Sequence, residues 1–116
     1  MKKPAQIGAS ILTADLLNLG EEIRRVEAVG VDFFHLDIMD GMFVPNITFG
    51  PLMVETVRRA TNLPLDVHLM IEAPERLLDA FVDAGASTLT LHTETTHHLQ
   101  SALQTLKRRD VRAGVT

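Results

Sequence analysis

The residues best suited to chemistry lie in two stretches, 35–39 and 66–70, where polar and apolar side chains alternate. Alternate side chains of a β-strand share one face, so His35 and Asp37 would lie together and His68 would face the same way on the next strand. Neighbouring strands are about 4.8 Å apart, which lets the three groups converge. Two imidazoles and a carboxylate with open positions are typical ligands of zinc and non-haem iron. The sequence therefore predicts a divalent-metal site.

A structural role is the alternative for each of these side chains. A single buried histidine usually only makes hydrogen bonds within the fold. Two histidines and an aspartate on adjacent strands favour the metal site. After the first of these strands, Asp40 and Gly41 break the pattern, and Pro45 lies in the loop that follows. Chemistry at the end of a parallel strand, beside a long loop, is the usual arrangement of α/β enzymes.

A repeated strand–helix pattern positions these residues. Four units of about thirty residues each contain a short β-type segment and then an amphipathic helix, which indicates a parallel sheet. The predicted strands cover residues 6–12, 31–39, 65–71, 87–93 and the beginning of a fifth at 111–116. The predicted helices cover residues 16–29, a segment that begins at Pro51, a segment that begins at Pro74, and residues 96–109.

The predicted helices have an apolar face at three- and four-residue spacing. Thr13 or Asp15 is the expected N-cap of the first helix, and Gly30 and Gly85 stand where left-handed residues end helices. The residues predicted to face the sheet are Leu16, Leu19, Ile23 and Val26 in the first helix, Leu77, Leu78, Phe81 and Val82 in the third, and Leu99, Leu103 and Leu106 in the fourth.

The alternating strands distinguish two parallel-sheet architectures. Strands of a doubly wound sheet have helices on both faces and are apolar throughout. Here only one face of each strand is apolar, which fits a single layer of helices around a shared polar interior. That is the wall of a (β/α)₈ barrel, which typically needs about 250 residues, whereas this chain has 116. We predict a single α/β domain, residues 1–116, built as a (βα)₄ half-barrel plus the start of a fifth strand.

Composition argues against several classes of function. The net charge is −4 with no basic block, and nucleic-acid binding needs clustered Lys and Arg. The chain has no cysteine, and so neither a disulfide nor a thiolate site. No apolar run is long enough to span a bilayer, and no signal-type segment follows the N-terminus. We expect a soluble, cytoplasmic protein with neither nucleic acid nor membrane as a partner.

Four motifs resemble the ribulose-phosphate 3-epimerase family. They are Ser-Ile-Leu at 10–12, His-Leu-Asp-Ile-Met-Asp-Gly at 35–41, Phe-Val-Pro-Asn at 43–46 and Asp-Val-His-Leu-Met at 66–70, in the family's order and spacing. The resemblance extends through nearly all of this chain and corresponds to the N-terminal half of that family's (β/α)₈ barrel. Orotidine-phosphate decarboxylases and hexulose-phosphate synthases share the fold but have an Asp-x-Lys-x-x-Asp motif, and this strand contains no lysine.

The resemblance implies an isomerase of the pentose phosphate pathway, which epimerises D-ribulose 5-phosphate and D-xylulose 5-phosphate at C3. It implies that His35, Asp37 and His68 bind a divalent cation (Zn²⁺, Fe²⁺, Mn²⁺ or Co²⁺). Asp37 would also be the general base that takes the C3 proton. A metal ion would stabilise the charge that this step creates on the substrate oxygens.

The resemblance also implies contacts with the substrate. Ser10 and His68 would touch the ketopentose phosphate, and Met39 and Met70 would pack over its reacting face. Filling the core is an equally good interpretation of both methionines. Residues 93–98 also include charged and imidazole groups near a strand end. A further metal contact is the alternative there to the capped, exposed loop that we predict.

The family's second catalytic aspartate and its phosphate-binding glycine loops belong to the later half of the barrel. We therefore expect weak or absent turnover from this chain alone. A half-barrel has two open sheet edges, so we expect a homo-oligomer, most simply a two-fold dimer. Two alternatives stay open: a non-catalytic, self-associating half-barrel with a vestigial metal site, and the N-terminal part of a split enzyme.

Overall fold

The computed structural model describes residues 1–116, and its five parallel strands form one sheet in the order β1-β2-β3-β4-β5. Each of the first four strands is followed by a helix, which confirms the predicted four βα units and fifth strand. The strands are β1 (Gly8–Ser10), β2 (Phe33–Met39), β3 (Leu65–Met70), β4 (Thr88–Leu91) and β5 (Arg112–Val115). The helices are α1 (Leu19–Val29), α2 (Pro51–Ala60), α3 (Leu78–Ala84) and α4 (Leu99–Arg108).

The core lies between the sheet and one layer of helices. Strands β2, β3 and β4 alternate between fully buried and half-buried residues, as expected when only one face of a sheet is covered. The covered face is entirely apolar, whereas the opposite face contains the histidines and acids. The largest buried side chains include Phe34, Leu36 and Leu69 from the strands and Ile23, Val54, Phe81 and Leu106 from the helices.

The prediction of a core position is wrong for two residues. Leu16 and Leu77 are 53% and 43% exposed, because each lies in or directly after a 3₁₀ turn, Leu16–Asn18 or Pro74–Arg76, that precedes the α-helix. A 3₁₀ turn has about three residues per turn, so its side chains do not continue the face of the helix. The other predicted residues are buried or pack against the core: Leu19, Ile23, Val26, Leu78, Phe81, Val82, Leu99, Leu103 and Leu106.

The predicted helix ends are confirmed in part. Asp15 caps the 3₁₀ turn before α1, where its carboxylate accepts a hydrogen bond from the backbone of Leu17. Gly30 and Gly85 end α1 and α3 in the left-handed conformation, with φ of 100° and 115°. At Gly85 a side chain is excluded for a second reason, since a Cβ there would lie 2.6 Å from Cδ of Arg58.

Strands β1 and β5 are the two edges of the sheet, and each pairs with one neighbour only. β1 is shorter than the predicted residues 6–12. No helix has the length and the apolar character needed to cross a membrane.

Candidate metal centre and active site

The register of β2 and β3 brings the predicted ligands to one place. Asp37 lies directly opposite His68, and His35 lies two pairs earlier, opposite Asp66. All of them are on the face of the sheet that the helices leave uncovered. The side chains of His35, Asp37 and His68 are 28%, 18% and 25% exposed, so the site is partly shielded yet open to a ligand.

The two predicted histidine ligands converge on one oxygen of the carboxylate. Asp37 Oδ1 lies 3.1 Å from His35 Nε2 and 3.4 Å from His68 Nδ1. One ligand atom from each of the three residues can be chosen so that all lie within 4.8 Å of one another. Two nitrogens and a carboxylate oxygen are suitable ligands for a divalent transition metal. The arrangement could therefore hold the predicted cation, and the donor set fits zinc, iron, manganese or cobalt.

Two further side chains extend this cluster, and neither was predicted to be part of it. Asp66 Oδ2 lies 2.8 Å from His35 Nδ1. His92 Nε2 lies 2.7 Å from His68 Nε2, and the two ring planes are inclined by 20°, with centroids 4.9 Å apart. Each contact uses the ring nitrogen that faces away from Asp37. The alternation of β3 had placed Asp66 on the same face as His68, but its partner depends on the strand register.

The other predicted site residues lie around this cluster. Met39 and Met70 lie opposite each other on β2 and β3, two pairs beyond the pair that contains Asp37, and both are half-buried. Ser10 pairs with His35 across β1 and β2. Its hydroxyl accepts a hydrogen bond from the backbone of Leu12 at 3.2 Å. All three residues therefore lie beside the cluster, where the predicted contacts with a substrate would be made.

The segment after β4 is a loop, as predicted for residues 93–98. It begins with a 3₁₀ turn, Thr93–Thr95, and His97 and His98 are exposed. Thr95 is buried and its hydroxyl donates to the carbonyl of His92 at 2.8 Å. The loop thus contributes no imidazole to the cluster beyond His92 at its start.

Asp40 connects the loop after β2 to the segment after β3. Its carboxylate accepts hydrogen bonds from the backbone N–H groups of Met42 at 2.9 Å, Phe43 at 3.1 Å and Glu72 at 2.8 Å. This places the Phe43 ring against His92, with centroids 4.8 Å apart. Burial alone would raise the pKa of Asp40, but the hydrogen bonds from Glu72, Met42 and Phe43 outweigh it and lower the pKa below 3.8.

Replacing Asp40 by Ala is expected to loosen this loop, because three backbone donors lose their acceptor. Amide hydrogen exchange should accelerate at Met42, Phe43 and Glu72, while Asp40→Asn, which keeps one acceptor oxygen, should show a smaller effect. Since folding lowers the pKa of Asp40, its stabilising contribution is present above pH 3.8 and is lost as the pH falls through the folded pKa. Unchanged exchange in the Ala variant would contradict this role.

The two clustered histidines are expected to titrate on opposite sides of their ordinary pKa. Burial would lower the pKa of His35, but the hydrogen bond to Asp66 and the charge of Asp37 outweigh burial and raise the pKa above 6.5. Burial and the neighbouring His92 lower the pKa of His68 below 6.5, against the attraction of Asp37.

Proton NMR of the imidazole Cε1–H signals in the metal-free chain checks this prediction. His35 stabilises the fold below pH 6.5, and this contribution is lost as the pH rises through its folded pKa. His68 acts in the opposite sense, because the unfolded chain takes up its proton first as the pH falls below 6.5. Midpoints on the same side of that value would contradict the ring contacts described above.

A concavity of about 930 Å³ lies mostly outside this cluster. Its lining includes Asp32, Pro64, Ser87 and Asp110, which precede or begin strands, so it marks the amino-terminal end of the sheet. Asp66 is the residue that it shares with the cluster. The candidate site lies further along the strands, toward their carboxyl ends, where parallel α/β folds place their chemistry.

Comparison with known proteins gives a consistent result. A family model described as the ribulose-phosphate 3 epimerase family matches residues 6–116. The ribulose-phosphate 3-epimerase of Bacillus subtilis is 54% identical over 110 residues, which cover 95% of this chain and 51% of that protein. The chloroplastic ribulose-5-phosphate-3-epimerase of Arabidopsis thaliana is 47% identical over 111 residues, covering 94% and 40%.

A cyanobacterial relative extends the match to nearly the whole chain. The ribulose-phosphate 3-epimerase of Synechocystis is 45% identical over 116 residues, which cover 98% of this chain and 50% of that protein. The chain spans about half the length of the curated relatives that it matches. With its four βα units and the His35, Asp37 and His68 motifs, the chain belongs to the ribulose-phosphate 3-epimerase family.

Proposed function

We propose that this chain supplies the general base and three metal ligands of a ribulose-phosphate 3-epimerase. The substrates would be D-ribulose 5-phosphate and D-xylulose 5-phosphate, which are interconverted at C3. The observation that carries the proposal is the convergence of His35 Nε2 and His68 Nδ1 on Asp37 Oδ1, at 3.1 and 3.4 Å. Membership of the family supports the same reaction.

In this proposal Asp37 takes the proton from C3 of the substrate. Its Oδ1 faces both imidazoles, which leaves Oδ2 as the oxygen available to the proton. A divalent cation (Zn²⁺, Fe²⁺, Mn²⁺ or Co²⁺) held by His35, Asp37 and His68 would stabilise the negative charge that develops on the substrate oxygens.

The remaining predicted residues would bind the substrate around this centre. We propose that Met39 and Met70, which face each other across the two strands, present an apolar surface to the reacting carbons. Ser10, at the end of β1, and His68 would contact the polar groups of the sugar. Epimerisation also needs an acid on the opposite face of C3. We propose that the later half of the barrel supplies this acid and the phosphate contacts. The residues of this chain would then perform the removal of the C3 proton.

Exchange of the C3 proton tests this proposal directly. The purified chain would be incubated in D₂O with D-ribulose 5-phosphate and Mn²⁺ or Zn²⁺, and the C3–H signal would be followed by NMR together with formation of D-xylulose 5-phosphate. We expect metal-dependent loss of the C3–H signal above the rate without protein. Addition of a second polypeptide that contains the later four units should then produce epimerisation.

Two results would favour the alternatives, and a third would contradict the proposal. Metal binding that His35→Ala abolishes, without proton exchange, would indicate a vestigial site in a non-catalytic half-barrel. Activity that appears only after the second polypeptide is added would indicate one part of a split enzyme. Neither metal binding nor exchange, with or without that polypeptide, would contradict the proposed function.

We also propose that the isolated chain self-associates, most simply as a two-fold homodimer. The exposed backbone groups of β1 and β5 can pair with strands of another copy, and the uncovered face with His35 and His68 would then be enclosed. Sedimentation velocity over a range of concentrations should show a dimer or larger species. A well-folded monomer at every concentration would contradict this proposal.

A further inference from the structure

We propose that Asp66 and His92 are positioning residues that fix which nitrogen each histidine of the metal site offers. Asp66 would set His35 to present Nε2, and His92 would set His68 to present Nδ1. The inference rests on the metal site of the proposed function and adds two residues to it. Its basis is that the two rings point different nitrogens at the same oxygen of Asp37, while the other nitrogen of each ring has a partner of its own.

The contact between Asp66 and His35 determines the tautomer of the first ring. An ionised carboxylate only accepts hydrogen bonds, and His35 has one at each ring nitrogen. The contact from Nδ1 to Asp66 Oδ2, at 2.8 Å, is shorter than the contact from Nε2 to Asp37 Oδ1, at 3.1 Å, so the single hydrogen of the neutral ring belongs on Nδ1. A neutral ring with its hydrogen on Nδ1 has its lone pair on Nε2, which is the nitrogen 3.1 Å from Asp37. The strand register fixes this contact, because Asp66 lies directly opposite His35 in the sheet.

The contact between His92 and His68 acts on the second ring in the same way. Two imidazole nitrogens 2.7 Å apart need one donor and one acceptor. We assign the acceptor role to His92 Nε2, because His68 Nδ1, which faces Asp37 at 3.4 Å, must keep its lone pair free to bind a metal ion. His68 then donates from Nε2 and keeps the lone pair of Nδ1 for the metal. Phe43 packs on the ring of His92, with centroids 4.8 Å apart, and so supports it.

We expect the contacts of Asp66 and His92 to increase the affinity of the site for a metal ion. Ligand histidines usually donate their second N–H to a neighbouring group, and loss of that group typically costs about 10–100-fold in affinity. Without Asp66 or His92, a ring would have to adopt both the correct tautomer and the correct orientation only when the ion binds. Asp66 lies on β3 and His92 directly follows β4, so each can be removed without the other.

The experiment compares two kinds of replacement in the full chain. Asp66→Ala and His92→Leu remove the acceptor, whereas Asp66→Asn and His92→Gln keep an amide oxygen that can accept the same hydrogen. Zn²⁺ affinity would be measured by competition with a chromophoric chelator, with circular dichroism as the check on folding. We expect Asp66→Ala and His92→Leu each to weaken binding by about 10–100-fold, and the amide variants to recover much of the loss. Equal affinity in all four variants and the unsubstituted chain would overturn the inference.

A second readout needs neither metal nor variant. Nitrogen-15 NMR of the metal-free chain at alkaline pH, where both rings are neutral, identifies the protonated nitrogen of each histidine. We expect His35 to carry its hydrogen on Nδ1, and His35 protonated on Nε2 would overturn the inference. If the unsubstituted chain binds no Zn²⁺, the proposed function loses its metal site, while this NMR result still decides the role of Asp66 separately.

Discussion

Replacement of Asp37 by Asn is expected to remove proton exchange at C3 and to weaken metal binding by more than about 100-fold, the upper end of the loss seen when only a supporting residue is removed. A carboxamide cannot take the proton, and as a neutral group it is a poorer ligand for a divalent cation than a carboxylate. Nearly the same shape is retained, so the fold should tolerate the change. C3–H exchange and Zn²⁺ titration of the purified variant measure the two effects.

Asp110→Asn provides a matched control for this change. Asp110 is exposed and lies beside the concavity at the opposite end of the sheet. Its backbone is left-handed, with φ of 56°, which asparagine adopts readily. This variant should keep the metal affinity of the unsubstituted chain. If Asp37→Asn exchanged the C3 proton as fast as the control, Asp37 would not be the base.

The replacement Leu36→Ala is expected to have the largest effect on stability. Leu36 is 0% exposed and lies between His35 and Asp37 on β2, with its side chain in the core on the opposite face of the sheet. Removal of a buried leucine side chain typically costs about 2–5 kcal/mol, part of it from the cavity that remains. Domains of this size are stable by only about 5–15 kcal/mol, so the variant should unfold at much lower urea concentration.

The same substitution at Leu17 provides the control. Leu17 is 95% exposed, and the hydrogen bond that it donates to Asp15 comes from its backbone, which alanine retains. Leu17→Ala should change the free energy of unfolding by no more than about 0.5 kcal/mol. Equal urea midpoints for the two variants would contradict the division of β2 into a core face and a site face.

The alternation of polar and apolar residues was enough to predict most of the fold. In β2 and β3 it separated the buried Leu36 and Val67 from His35, Asp37 and His68, because a strand with one covered face must alternate. The four repeats then gave the number of units. The absence of a continuous apolar strand indicated a barrel wall and not a doubly wound sheet.

Sequence periodicity could not show where a helix begins with a 3₁₀ turn. Leu16 and Leu77 fit the apolar spacing of the helices but are exposed, because the turn before each helix changes the angle between successive side chains. The local cue at Leu77 was Pro74, which begins such a turn. The spacing alone fits either kind of helix.

The contacts of Asp66 and His92 also depend on information that a single strand does not contain. Asp66 reaches His35 only because the register places the two residues opposite each other. His92 reaches His68 from the end of β4, just beyond the last paired residue, Leu91. Alternation with the buried Val67 and Leu91 puts Asp66 and His92 on the polar face, but the pairing that gives each its partner is set by the sheet as a whole.

The central claim is that His35, Asp37 and His68 bind one divalent cation, and a crystal grown with Zn²⁺ tests it most directly. Anomalous scattering at the zinc edge should show one ion, about 2.0–2.2 Å from a nitrogen of each histidine and an oxygen of the aspartate. His35 should bind through Nε2 and His68 through Nδ1. Zinc bound only at other residues, with these three side chains in the contacts described here, would contradict the claim.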